Sequence, residues 1–128
     1  MKGRLTLIVG DTIALLFFAW LGRASHGKAG LLGIVETALP FWLGWMGAGW
    51  VLGAYRPEAH ESTRAALGTT VRVWAVGIPL GLVIRAVWLR RGIPLSFAVV
   101  TMLTTLVILG LWRGGWAYLQ ERRAPHSA

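Results

Sequence analysis

A chain of 128 residues that is 55% hydrophobic and 14% charged has too little polar material to coat a soluble globule, which usually carries roughly 25% charged residues. The mean hydropathy of +0.60 points the same way. The net charge of +8 would suit nucleic acid, but the basic residues cluster at the ends of apolar runs. That is the placement that orients membrane proteins and meets anionic lipid, so nucleic-acid binding is not expected. The absence of cysteine excludes disulfide and thiolate chemistry.

The first apolar run, "LTLIVGDTIALLFFAWLG" (Leu5–Gly22), holds Asp11. A carboxylate within the run, with no clear A-x-A cleavage site after it, marks a retained helix and not a signal peptide. A turn follows, "RASHGKAG", with Arg23, His26 and Lys28. The second run, "TALPFWLGWMGAGWVLGAY", carries no charge; Glu36 stands immediately before it and Pro40 lies within it. The connection "RPEAHESTRA" leads to the third run, Ala66–Leu89, which contains Arg72, Pro79 and Arg85. After "RRGI" comes the uncharged run "GIPLSFAVVTMLTTLVILGLW", then a short basic tail. A helix needs about 20 apolar residues to cross the hydrocarbon core. The expected structure is therefore an all-α membrane protein, a compact up-down bundle of four transmembrane helices in one domain covering 1–128. The helices are expected near 5–22, 31–55, 66–89 and 94–119. Short connections make sequential neighbours antiparallel.

Four spans place the N-terminus, the second connection and the C-terminus on one side. That side has Lys2, Arg4, Arg56, Arg64, Arg113, Arg122 and Arg123, with Arg72 close by. The other has Arg23, Lys28, Arg90 and Arg91, with Arg85 nearby. The excess predicts an inner (plasma) membrane protein with both termini cytoplasmic. Trp20 and Trp88 then fall at the outer interface, and Trp112 and Trp116 at the inner one, as an aromatic belt. Trp42, Trp45 and Trp50 read as packing or lipid-facing residues more readily than as a pocket wall.

Carboxylates are the sharpest polar signals, because each costs at least about 2.5 kcal/mol in the hydrocarbon and lacks the long stem of arginine. At 1.5 Å per residue, Asp11 and Arg72 both lie roughly 9 Å inside the inner boundary. Glu36 and Arg85 lie roughly 7 Å and 6 Å inside the outer one. Matched depth pairs Asp11 with Arg72 and Glu36 with Arg85. The two arginines are about 140° apart around one helix, so both pairings require a bend at Pro79. Otherwise the arginines reach to the head groups. Thr101, Thr104 and Thr105 share one face of the last helix and are expected to bond their own backbone; they are the alternative partners for Asp11 if the third helix turns Arg72 away. Pro40 removes the helical donor to the carbonyl of Glu36, and broken helices of this kind recur at transporter sites. The pairs Gly49/Gly53, Gly77/Gly81 and Gly110/Gly114 are close-approach faces, within the chain or between copies in a homo-oligomer.

The stretches "GDTIALLFFAWLGRASHG", "PFWLGW", "GAY" and "PLGLVIRAVWLRRGIPLSFAVVTMLTTLVILGLWR" together resemble an uncharacterised prokaryotic membrane family, domain of unknown function 3054. The matching elements are Asp11, Gly22, Arg23, His26, Arg85 and the Trp112-Arg113 pair. The resemblance implies a four-helix membrane protein and names no substrate. No H-E-x-x-H, phosphate-binding loop or intramembrane serine with a base is present, so neither an enzyme nor a metal or cofactor site is expected. Two functional readings stand. One is a carrier or channel-like protein for a proton or small polar or anionic solute, using Asp11, Arg23, His26, Glu36, Arg72 and Arg85. The other is an accessory subunit whose buried charges only lock its helices. The outer polar residues are expected to converge around Pro40.

Overall fold

The computed structural model describes residues 2–24, 30–90 and 92–123. Four helices follow one another: α1, Lys2–Ala24; α2, Leu31–Leu52; α3, Thr63–Leu89; and α4, Leu95–Arg123. A single 3₁₀ turn, Pro57–His60, stands between α2 and α3. There is no strand among the described residues. All four helices are long and apolar enough to cross a membrane. Each packs on the next, and α4 returns to α1, which closes the ring.

The helix ends differ from the sequence expectation where local backbone chemistry intervenes. α2 stops at Leu52 because Gly53 takes the left-handed conformation, φ 81°, and its N–H bonds the carbonyl of Gly49. Tyr55 is thereby released into the connection, where Ala54 N–H also reaches the Gly49 carbonyl at 2.8 Å. α3 begins at Thr63, ahead of the apolar run, because Ser62 caps it: the side-chain oxygen accepts from Ala65 N–H at 3.1 Å. The other end of α3 closes on Arg90, a left-handed residue with φ 55° whose N–H bonds the carbonyls of Ala86 and Val87. Pro40 and Pro79 sit inside α2 and α3, and both helices continue through them.

The tightest seam runs between α2 and α3, where three glycines bring two backbones together. A Cβ on Gly44 would lie 2.4 Å from the Gly77 carbonyl oxygen and 2.7 Å from the Gly81 nitrogen. The Gly77/Gly81 face is therefore consumed within the chain. In the other two pairs one member of each is closely approached within the chain: a Cβ on Gly49 would lie 3.0 Å from Tyr55 Cε2 and one on Gly114 2.8 Å from Leu67 Cδ2. Gly53 is a helix cap, and nothing lies within 4 Å of a Cβ built on Gly110.

Polarity runs opposite to that of a soluble globule. Asp11, Thr69, Thr70, Thr101, Thr105 and Arg113 are buried, while Leu103, Val107 and Leu111 on α4 are 60%, 58% and 73% exposed. Such a surface suits a hydrocarbon solvent, in which polar groups must find partners inside. Among the α4 threonines, Thr105 bonds its own helix as expected, its Oγ1 donating to the Thr101 carbonyl at 2.6 Å. Trp20 and Trp88, at the end of the bundle where α1 finishes and α2 begins, are 43% and 50% exposed, as belt residues would be.

Candidate functional site

Asp11 is fully buried at the centre of a five-residue cluster. Its Oδ1 accepts from Arg113 Nε at 2.9 Å and from Trp112 Nε1 at 3.0 Å. Its Oδ2 accepts from Trp45 Nε1 at 2.9 Å, from the Tyr55 hydroxyl at 2.6 Å, and from Arg113 Nη2. The guanidinium thus grips the carboxylate with two parallel bonds, the strong fork geometry. Its Nη1 donates to the Ala54 carbonyl at 3.0 Å. Three helices and the turn after α2 meet at this carboxylate. Among the described residues, no buried side-chain nitrogen or oxygen lacks a hydrogen-bond partner. Burial first, and then the charge of Asp11, push the pKa of Tyr55 up, so the phenol stays protonated and remains a donor.

The sequence of α1 makes the approach feasible. Gly10 precedes Asp11, and a Cβ there would fall inside the Trp112 indole, 2.2 Å from Cε2. The glycine lets the ring lie flat against α1 and reach the carboxylate. Trp42 supports the next turn, its Nε1 donating to Thr12 Oγ1 at 2.9 Å.

This corrects the expected partner of Asp11. Arg72 lies on the exposed face of α3 and donates to Thr69 Oγ1 on its own helix at 3.3 Å. Thr69, Thr70 and Val73 take the buried face, which turns Arg72 outward on a stem long enough to reach the head groups. Trp112 and Trp45 do more than the belt and packing roles expected of them: both are donors to Asp11. Sequence reasoning does not pick out Arg113, Tyr55, Trp45 and Trp112 as its partners. The signal available is that the apolar run of α4 resumes after Arg113 with "GGWAYL", which puts the arginine inside the helix.

At the opposite end of the bundle a cavity of 650 Å³ opens between all four helices. Arg23 from α1, Glu36 from α2 and Arg85 from α3 line it together, as does Pro40. The guanidinium of Arg23 crosses the bare backbone of Gly33, where a Cβ would come within 2.4 Å of its Cζ. It donates to Thr37 Oγ1 at 3.4 Å. The Arg85 guanidinium stacks over Phe97 of α4, 4.3 Å from the ring centroid. Phe18, Trp88 and Val100 supply apolar wall. Glu36 makes no ion pair and no hydrogen bond with any described residue. Of the residues expected to converge around Pro40, Glu36, Arg85 and Arg23 line the same cavity as the proline. His26 lies outside the described residues.

The fold and these two polar centres define an all-helical bundle, membrane-spanning in length and apolarity, sealed at one end and hollow at the other. Residues 8–116 match the family described as Protein of unknown function (DUF3054), and the chain belongs to that family. The matched segment contains both polar centres. No curated protein and no solved structure matches the chain.

Proposed function

We propose that this is a multi-pass protein of the inner (plasma) membrane, and that the hollow end of its bundle is the binding site of a carrier or channel-like protein for a small polar or anionic solute. The observation that carries this reading is the cavity itself. Three helices each bring one charged residue to a single space of 650 Å³, which lies within the roughly 300–1,000 Å³ of small-molecule sites. Charged residues at membrane depth are costly, and those that line a water-filled cavity mark solute pathways. Arginine's planar fork suits carboxylate, phosphate and other oxyanions.

The accessory-subunit reading applies to the other centre. Asp11 accepts five hydrogen bonds in a sealed site, which leaves no position for a solute. Its work is to hold α1, α2 and α4 together.

On this reading the excess of Lys and Arg puts both termini, and the sealed end, in the cytoplasm; the cavity then faces outward. Reporter fusions after Arg123 and within 25–29 test this. The tail fusion is expected to report cytoplasm and the loop fusion the opposite side; an inverted pair of signals would reject the orientation.

Reconstitution in liposomes tests transport. With chloride, acetate, phosphate and L-phenylalanine as probes, at least one is expected to cross faster than in protein-free vesicles. Arg85→Gln is expected to lower that flux at least tenfold while leaving the melting temperature in detergent unchanged. Flux no faster than the protein-free control for every probe, or a flux indifferent to Arg85→Gln, would reject the carrier reading.

A further inference from the structure

We infer that the cavity takes a small zwitterion with an apolar body, its anionic group held by Arg85 and Arg23 and its ammonium by Glu36. The inference rests on the solute-site reading and specifies its ligand.

The charges lining the cavity are two guanidiniums and one carboxylate, from α1, α3 and α2 respectively, and α4 adds none. Opposite charges a few ångströms apart attract one another. Yet Glu36 forms no ion pair with either arginine. Arg23 donates to Thr37, Arg85 stacks on the Phe97 ring, and Glu36 is an exposed residue of α2. A simple anion placed there would meet the arginines but face Glu36 as a like charge. A simple cation would meet Glu36 and face two guanidiniums. Only a ligand carrying both signs a short distance apart is matched on both walls.

The backbone adds a second acceptor beside the carboxylate. Pro40 has no N–H, so the carbonyl of Glu36 lacks the donor that a helix normally supplies four residues on. An ammonium has three donors and no acceptor, and a carboxylate with a nearby carbonyl suits it. The rest of the wall is apolar and aromatic: Phe18, Trp88, Phe97 and Val100. That surface gains nothing from a compact inorganic ion and favours an aliphatic or aromatic body. An amphipathic amino acid has this chemistry, and so does the ethanolamine phosphate head group of a bilayer lipid.

Binding to the purified, delipidated protein separates these cases, with L-phenylalanine, 3-phenylpropionate and phenethylamine as probes. The zwitterion is expected to bind at least tenfold more tightly than either half-molecule. Glu36→Gln is expected to erase its advantage over 3-phenylpropionate, and Arg85→Gln to weaken both. If the lipid is the source, native mass spectrometry after reconstitution in mixed phosphatidylethanolamine and phosphatidylglycerol will show one phosphatidylethanolamine retained preferentially, and lost in Glu36→Gln. 3-Phenylpropionate binding as tightly as L-phenylalanine, without selective lipid retention, would overturn the zwitterion assignment and leave an anion site standing. No binding of any probe and no retained lipid would overturn both the assignment and the solute site. The comparison of probes on the wild-type protein decides the matter even if a variant fails to fold.

Discussion

Asp11→Asn is expected to destabilise the protein by about 3–5 kcal/mol, the usual cost of breaking a buried ion pair from one side. The carboxylate offers only acceptors, and its neighbours Arg113, Trp45, Trp112 and Tyr55 offer only donors to it. An amide would turn an NH₂ toward donors on one side and leave the guanidinium of Arg113 without a counter-charge. Arg113→Met should cost a similar amount, because it leaves a carboxylate with three neutral donors and frees the Ala54 carbonyl. The double variant Asp11→Leu/Arg113→Met should lose much less than the sum of the two, since neither charge is then stranded. The recovery will be incomplete, because the two indoles and the phenol lose their acceptor. Thermal unfolding in detergent, followed by tryptophan fluorescence, reads all three. A melting temperature for Asp11→Asn within about 2 °C of the wild type would refute a structural role for the cluster.

The second large effect belongs to the α2–α3 seam. Gly44→Ala inserts a methyl group where the Gly77 carbonyl oxygen and the Gly81 nitrogen lie 2.4 and 2.7 Å away. Both obstacles are backbone, so no side-chain rotation relieves the clash and the helices must separate. Overpacking of a core typically costs about 1–3 kcal/mol, and this contact is at the severe end. The separation also moves Trp45, next in sequence, away from Asp11. Gly110→Ala is the matched control. With nothing within 4 Å of the new methyl, it should be neutral or gain about 0.5–1 kcal/mol from helix propensity. Equal melting temperatures for Gly44→Ala and Gly110→Ala would show that the seam is not limiting.

The helices are legible in the sequence because run length and charge placement are one-dimensional properties, and a lipid-crossing helix satisfies its backbone within itself. The burial of Asp11 is legible on related grounds: a carboxylate at that depth must face inward. Its partner does not follow from depth alone. Depth counting matches Asp11 with Arg72, while the rotation of α3, set by Thr69, Thr70 and Val73 packing inward, points Arg72 away. Arg113 falls among the interface cations because the uncharged run ends at Trp112, although α4 continues to Arg123. The apolar pattern carries the second helix on through Tyr55, but Gly53 terminates it after Leu52. The left-handed cap is what turns the phenol back into the bundle.

The cavity end is easier to anticipate. Glu36 and Arg85 have matched depths on helices that pack directly together, and Pro40 lies one turn beyond Glu36, so counting residues is enough to bring them to one place. The contacts of the two guanidiniums are not legible in the same way. They include Phe97 and Thr37, and neither partner has a signature in sequence spacing.

The clasp between Asp11 and Arg113 also sets an order of events during biogenesis. The two residues are 102 positions apart, and ribosomes add about 5–20 residues per second. The first helix therefore waits roughly 5–20 s, by that rate, for its counter-charge to be synthesised. Trp45 and Tyr55 come off the ribosome much sooner, 34 and 44 positions after Asp11. They give the carboxylate two neutral donors as soon as α2 and its turn have been made. The indole and the phenol thus act as a provisional host for a nascent chain, and the arginine arrives last to complete the enclosure.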